Sequence, residues 1–112
     1  MVKWVLFVRR RAGLTPAQFR DHYETVHAPL AMRLLPIRRY VRNYLLPTPG
    51  MPDPPYDVMT EFWFDSAEEA AAARAWYAAD ESQTLQRDEM TFMDRDSMIM
   101  YDAEERESPP AP

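Results

Sequence analysis

Four stretches of the chain have the alternating or continuously apolar pattern that is typical of β-strands. They are residues 2–9, 37–45, 56–64 and 96–102. In the first and third stretches the side chains on both faces are largely apolar, so we expect both faces to be covered. The second stretch has one polar and aromatic face, made of Arg38, Tyr40, Arg42 and Tyr44.

A helix is predicted between the first two strands. Thr15 is placed to cap it, Pro16 occupies the first helical position, and Gln18 can reach back to the cap. The apolar positions that follow predict a helix to about Leu35, and Pro36 then ends it.

A second helix is predicted after the third strand. Ser66 and Glu69 repeat the capping pattern, and the alanine-rich helix runs to about Ala79. Its small side chains allow it to lie close to a sheet. A further short helical segment is predicted from Ser82 to about Met90.

The resulting order, β-α-β-β-α-β, predicts an α+β fold of the ferredoxin-like type. Such a fold has a four-stranded antiparallel sheet with both helices on one face. The other face would leave apolar residues of the first and third strands exposed, which predicts a large adhesive patch. We therefore expect a homodimer in which two sheets stack on each other.

Two segments lack the pattern of regular structure. Residues 47–55 contain five prolines and are expected to form a semi-rigid surface loop, either a plain connector or the rim of a site. The charged, proline-rich end of the chain is expected to be disordered. The sequence thus predicts one folded domain over residues 1–102 and a tail over residues 103–112.

The composition narrows the possible partners and compartments. The net charge is −5 and the basic residues are scattered, which argues against nucleic acid as the main partner. No run of residues is apolar enough to cross a membrane, and no signal-peptide pattern is present, so we expect a cytoplasmic protein. The chain has no cysteine and only two glycines, which disfavours thiolate chemistry and a glycine-rich phosphate loop. Nucleotide cofactors are therefore not expected.

With this topology, three segments resemble the EthD family, within the dimeric α/β-barrel superfamily. They read LTPAQFRDHYETVHAPLAMRLLPIRRYVRNYL, YDVMTEFWFDSAEEA and RDEMTFMD, and together they span most of residues 3–101. The resemblance implies a ferredoxin-like protomer, a homodimer that closes a barrel, and a pocket between sheet and helices. The family includes cofactor-independent polyketide cyclases, dehydratases and lactone isomerases. The wider superfamily includes monooxygenases, some of which act on haem.

The only two histidines lie in the first predicted helix. Five residues of α-helix would place His22 and His27 about 140° apart. They could not then bind one metal ion, and no other metal-ligand spacing is present, so we expect no metal site. Pro29 removes a backbone donor and must bend or restart the helix near His27. For His22 we retain the simpler interpretation, a ring packed at the edge of the core.

His27 has two possible roles: a ring packed at the core edge, or a general acid/base aimed into a pocket by the bend. The resemblance implies the second, because isomerase-type members carry such a histidine together with a tyrosine on the next strand, here Tyr40. Asp88, in RDEMTFMD, matches an acidic position of the family and would either orient His27 or cap a helix.

The tyrosine and arginine row of the second strand also has two interpretations. Tyr40 and its neighbours could hold an oxygen on which negative charge develops, or they could form a solvated or dimer-facing surface. We predict catalytic roles for His27, Tyr40 and Asp88. Substrate-binding side chains are predicted at Arg42, Tyr44, Tyr23, Trp63 and His22.

We therefore expect a cofactor-free enzyme in which His27 moves a proton next to a carbonyl group of an oxygenated cyclic substrate, such as a polyketide intermediate or a lactone. Two other functions stay open. One is a binding or accessory protein with the same pocket and no chemistry. The other is a monooxygenase, either cofactor-free or using haem.

Overall fold

The structure, a computed structural model, describes all 112 residues and contains one four-stranded antiparallel sheet. Its strands are β1 (Val2–Arg10), β2 (Arg39–Tyr44), β3 (Val58–Phe64) and β4 (Met93–Ala103). Their order across the sheet is β2-β3-β1-β4, and every neighbouring pair is antiparallel. This confirms the ferredoxin-like topology predicted from the sequence.

The helices connect these strands. They are α1 (Pro16–His22), a π-helical turn (Tyr23–His27), α2 (Ala28–Leu34), α3 (Ala67–Ala78), a 3₁₀ turn (Asp80–Ser82) and α4 (Gln83–Phe92). The capping box at the start of α1 is present in full: the Thr15 hydroxyl accepts the Gln18 N–H, and the Gln18 side chain accepts the Thr15 N–H. At α3 only half of the expected pattern forms, because Ser66 caps Glu69 but receives no bond in return.

The core lies between the helices and one face of the sheet. Trp4, Leu6 and Val8 of β1 alternate into it, and β3 contributes the even-numbered residues from 58 to 64. Because neighbouring strands pair in register, these side chains form a continuous layer under the helices. The helix-facing side of β2 is the one that carries Tyr40, so the alternative of a dimer-facing or solvated Tyr40 is wrong.

The opposite face of the sheet is not covered by any helix. Lys3, Glu61 and Asn43 form a hydrogen-bonded row across it, with a 2.9 Å ion pair between Lys3 and Glu61. Trp63 lies on the same face, between the cations of Lys3 and Arg39, and its indole Nε1 is buried without a hydrogen-bond partner. This face therefore combines apolar area with one hydrogen-bonded polar row and one unpaired indole N–H.

The remaining segments carry no strand or helix. The proline-rich loop, residues 47–55, borders a shallow groove of about 430 Å³ near Arg20 and Tyr44, away from the centre of the protein. Residues 104–112 follow β4 as exposed, irregular chain, and Glu105 bonds Lys3. None of the helices has the length and apolar character needed to span a bilayer.

Candidate active site

The first helix contains a π-helical turn at the position where the sequence predicts a bend. The Ala28 N–H bonds the Tyr23 carbonyl, five residues earlier, instead of the carbonyl four residues earlier. In a regular α-helix the ring of Pro29 would clash with the carbonyl of Thr25. The wider turn relieves this clash and allows the chain to continue directly into α2. Such turns are rare and are frequently found at functional sites.

The π turn changes the relative position of the two histidines. Residues five apart are neighbours in a π turn, since the hydrogen bond itself joins residues i and i+5. His22 Nε2 lies 2.9 Å from one carboxylate oxygen of Asp88, and His27 Nδ1 lies 2.8 Å from the other. The expectation that the two rings diverge by about 140° is therefore wrong, because it assumed an uninterrupted α-helix.

His27 is buried, with only 2% of its surface exposed, and lies against the aromatic rings of Tyr23 and Phe92. Asp88 contacts Nδ1, whereas Nε2 makes no hydrogen bond within the chain. Burial lowers the pKa of His27 below 6.5, and the hydrogen bond and charge of Asp88 only partly offset this effect. The ring is thus neutral at pH 7. When Nδ1–H donates its hydrogen bond to Asp88, Nε2 is the nitrogen with the free lone pair.

His27 borders a mostly apolar cavity of about 60 Å³ between the sheet and the helices. Its polar lining groups are the side chains of Tyr23, His27, Tyr40, Tyr77, Glu89 and Arg74. Three methionines also line it: Met93, Met98 and Met100. The volume suffices for a few water molecules. A larger ligand requires side chains to move, and unbranched methionines are well suited to repack.

Two tyrosine hydroxyls meet in this cavity. Tyr23, which is fully buried, lies 2.9 Å from the Thr60 hydroxyl and 3.3 Å from the Tyr40 hydroxyl. Burial raises the pKa of Tyr23 to about 12 and that of Tyr40 well above 10. Both phenols are therefore protonated at neutral pH and available as donors. The Thr60 hydroxyl can donate to Tyr23, and Tyr23 can donate to Tyr40. The Tyr40 O–H is then free to donate into the cavity.

The other predicted substrate-binding residues lie outside the cavity. Arg42 forms a two-point ion pair with Glu24, at 2.8 Å for each contact, and the Tyr44 hydroxyl donates to the same carboxylate. The Arg42 guanidinium and the Tyr44 hydroxyl hold the pKa of Glu24 below its usual range. This cluster fastens the π turn to β2, and Arg42 stacks over the outer side of the Tyr40 ring, 4.8 Å from its centre.

Trp63 lies on the uncovered face of the sheet, and the sheet itself separates it from the cavity. His22 lies beside Asp88 and Phe92, behind His27, and does not reach the cavity lining. The structure thus places His27, Tyr40 and Tyr23 around one space, with Asp88 directly behind His27. Arg42, Tyr44, Trp63 and His22 are not brought to that space.

Three of the polar cavity residues, Glu89, Tyr77 and Arg74, are not anticipated from the sequence. Glu89 follows Asp88 directly and is only 4% exposed, and its Oε1 accepts a 2.6 Å hydrogen bond from the Tyr77 hydroxyl. The only sequence signal for Glu89 is its place in the RDEMTFMD segment, where the apolar spacing of Leu85 and Phe92 puts it on the inner side of a helix. No pattern in the sequence marks Tyr77 as a cavity residue. It lies in the last turn of an alanine-rich helix.

Comparison with known proteins extends these observations. A family model, the EthD domain, matches residues 11–96. The chain is similar to the crystal structure of an ethyl tert-butyl ether D (EthD) family protein from Bacillus halodurans C-125, with a TM-score of 0.69, 23% identity, and coverage of 95% of this chain and 100% of that one.

Two other solved structures are similar over most of their lengths. An EthD-like protein from Ralstonia eutropha JMP134 has a TM-score of 0.66 and 20% identity, over 92% of this chain and 89% of that one. A dimeric protein of unknown function with a ferredoxin-like fold, from Bacteroides fragilis NCTC 9343, has a TM-score of 0.59 and 14% identity, over 92% and 94%. No curated protein matches the chain.

Proposed function

The chain belongs to the EthD family, and on that premise we propose that it is a small enzyme that moves protons at a carbon next to a carbonyl group, without a cofactor. One observation carries the proposal: the buried His27 ring borders an apolar cavity while Asp88 holds its Nδ1 at 2.8 Å. A neutral histidine held by a carboxylate is the arrangement that a general base requires.

In the proposed reaction, His27 Nε2 removes the proton from the substrate carbon. The positive charge that forms on the ring is stabilised by Asp88, whose second oxygen is already held by His22. The low pKa of His27 keeps it in its basic form at neutral pH, so no prior deprotonation is needed. The same nitrogen then returns a proton to the product.

The oxygen of the substrate becomes negatively charged as the proton leaves. We assign its stabilisation to the Tyr40 hydroxyl, which is supported from behind by Tyr23 and Thr60. Preorganised donors of this kind are worth about 10²- to 10³-fold in rate. The enolate is held in an apolar space, where water cannot compete for the donor.

The apolar lining and the few polar groups favour a cyclic substrate with one or two oxygen atoms. Polyketide cyclisation, dehydration and lactone isomerisation all share this proton transfer, and the proposal covers these three reaction types. We further propose a homodimer formed through the uncovered face of the sheet. Its support is the apolar area of that face, together with the dimeric description of the Bacteroides fragilis relative.

The test is proton exchange on two probes in heavy water. One is cyclohexanone, whose α-protons exchange for deuterium; the other is α-angelica lactone, whose double bond moves into conjugation. We expect the protein to accelerate both reactions, and we expect His27→Gln to lose about 10²- to 10⁴-fold of that rate. The matched control is His22→Gln: His22 is half-buried behind the site, and the Gln amide can still donate to Asp88, so this variant should retain most of the rate.

Two results would refute the proposal: no acceleration by the natural chain, or equal activity of the His27→Gln variant. If the probes bind and are recovered without deuterium, the site is that of a binding or accessory protein. Binding is followed through the NMR signals of the two imidazoles, which are easily assigned in a chain with only two histidines.

A further inference from the structure

Glu89 is the one carboxylate-bearing side chain among the buried residues, although the chain contains 18 acidic residues. Burying a carboxyl group is costly unless the group is neutral or fully paired. The proton transfer assigned to His27 and Tyr40 does not use Glu89. Its presence in the cavity therefore calls for a separate physical reason.

Glu89 and Asp88 are adjacent in α4, but their side chains reach different parts of the site. Asp88 points toward the π turn and holds both histidines from behind. Glu89 lines the cavity itself, near Tyr77 of α3. The cavity thus has two groups that can exchange protons on different walls, namely His27 at the end of the π turn and Glu89 on α4.

The two oxygens of Glu89 are in different environments. Oε1 accepts the Tyr77 hydroxyl at 2.6 Å and lies 3.6 Å from Arg95 Nε, too far for a hydrogen bond. Oε2 makes no hydrogen bond within the chain. Since Tyr77 satisfies one oxygen only, the other is available to a molecule in the cavity.

The surroundings of Glu89 favour the neutral form of its carboxyl group. Burial raises its pKa above 4.5, and the charge of Asp88 adds to this effect, whereas Tyr77 and Arg95 oppose it. An ionised Glu89 would raise the pKa of Tyr23 and of Tyr40. A protonated carboxyl group has an O–H that can be donated.

We propose that Glu89 is the proton donor for a departing hydroxyl group, and hence that the substrate is a cyclic β-hydroxy carbonyl compound that loses water. The inference rests on the proposed function and selects dehydration among its three reactions. His27 Nε2 takes the α-proton, the electron pair of that C–H bond forms the new double bond, and the β C–O bond breaks. The departing oxygen takes the Glu89 proton and leaves as water.

Every proton that moves in this step passes between the substrate, His27 and Glu89. The step as proposed starts with neutral His27 and protonated Glu89, and it ends with protonated His27 and ionised Glu89. Return of one proton from His27 to Glu89, directly or through the product water, restores the starting state. No oxidant, reductant or metal ion takes part.

The experiment compares two probes that differ by the leaving group alone. 3-Hydroxycyclohexanone can exchange its α-protons and also eliminate water to give cyclohex-2-enone, which is followed by its ultraviolet absorption. Cyclohexanone can only exchange. We expect Glu89→Gln to keep the exchange of cyclohexanone within about threefold while losing elimination by about 100-fold or more. Glu81→Gln, the same change at an exposed residue, is the matched control.

The outcomes separate the two proposals. Suppose that the natural chain exchanges the protons of cyclohexanone, but Glu89→Gln eliminates water from 3-hydroxycyclohexanone as fast as the natural chain does. The role of Glu89 is then refuted and that of His27 stands. Equal losses of exchange and elimination in Glu89→Gln indicate a structural role and also refute it. If the natural chain does not exchange cyclohexanone at all, the proposed function fails, and this inference fails with it.

A second variant gives an independent readout. The titratable and charged groups around Glu89 are Tyr77 and Arg74 on α3, Arg95 on β4, Asp88 on α4, His27 and Tyr23 on the π turn, and Tyr40 on β2. Tyr77→Phe removes a hydrogen bond that lowers the pKa of Glu89. We expect the alkaline limb of the elimination rate to move to higher pH in this variant. An unmoved limb would overturn the assignment of that limb to Glu89.

Discussion

Replacing Asp88 by Asn tests the central contact of the site. The substitution preserves the shape of the side chain and removes its negative charge. Asp88 raises the pKa of His27 through its hydrogen bond and its charge, against the larger lowering effect of burial. Without that charge, burial acts with less opposition, and the pKa of His27 should fall further below 6.5.

The expected loss of rate follows from the same contact. A hydrogen bond to a charged group contributes about 1.5–3 kcal/mol. The positive charge on His27 exists only after it has taken the proton, so the loss falls on the transition state and not on the resting enzyme. At about 1.4 kcal/mol for each factor of ten, the rate of α-proton exchange should fall by about 10- to 150-fold.

The assay combines that exchange rate, measured on cyclohexanone, with an NMR titration of the His27 imidazole. Asp94→Asn serves as the control, because Asp94 is a half-exposed residue that pairs with Arg9 at 3.4 Å on the surface. The reasoning is refuted if the pKa of His27 stays constant or rises in Asp88→Asn. It is equally refuted if the pKa falls as expected and the exchange rate does not change.

Two further predictions concern stability. Tyr23→Phe leaves the buried Thr60 hydroxyl without its partner and should lower the free energy of unfolding by about 1–3 kcal/mol in urea denaturation, whereas Tyr101→Phe, at an exposed position, should have little effect; equal effects would contradict the burial argument. His27 and Glu89 should give opposite pH dependences. The folded pKa of His27 lies below 6.5, so the unfolded chain takes up the proton first as the pH falls, and the natural chain should lose stability relative to His27→Gln below about pH 6.5. The folded pKa of Glu89 lies above 4.5, so the unfolded chain releases the proton first as the pH rises, and the natural chain should lose stability relative to Glu89→Gln above about pH 4.5. Denaturation midpoints across pH 4–8 measure both slopes, and parallel curves for natural chain and variants would contradict the two pKa directions.

The order of strands and helices follows from patterns that are local in the sequence. Alternation marks β1 and β3 within one or two residues, and the cap at Thr15 marks the start of α1. The sequence pattern predicts the last strand from residue 96, whereas β4 begins at Met93. Helix α4 passes into β4 without glycine, proline or other turn residues between Phe92 and Met93, so no local signal marks the boundary.

The site depended on contacts that are distant in the sequence. His27 stood out because Pro29 follows it, and Tyr40 because it shares a face with arginines. The choice between packing and pocket for these residues depends on which face of β2 meets the helices, and the pattern of β2 alone does not decide it. The hydrogen-bond partner of the buried Glu89 is Tyr77, 12 residues earlier on another helix. A carboxyl group on an amphipathic helix is normally solvated, and the apolar spacing of Leu85 and Phe92 is the only local signal that this one faces inward.

The π turn also has a consequence for how this segment tolerates changes in length. Its hydrogen-bonded ring spans five residues where an α-helical ring spans four, so α1 and α2 are out of phase by one residue, and each keeps its own buried face. Phe19 belongs to the phase of α1, and Ala31 belongs to that of α2. Deleting one residue between positions 24 and 26 would merge the two helices into one phase. The two imidazoles would then lie four residues apart on one face of a regular helix, but the ring of Pro29 would again meet the carbonyl four residues before it.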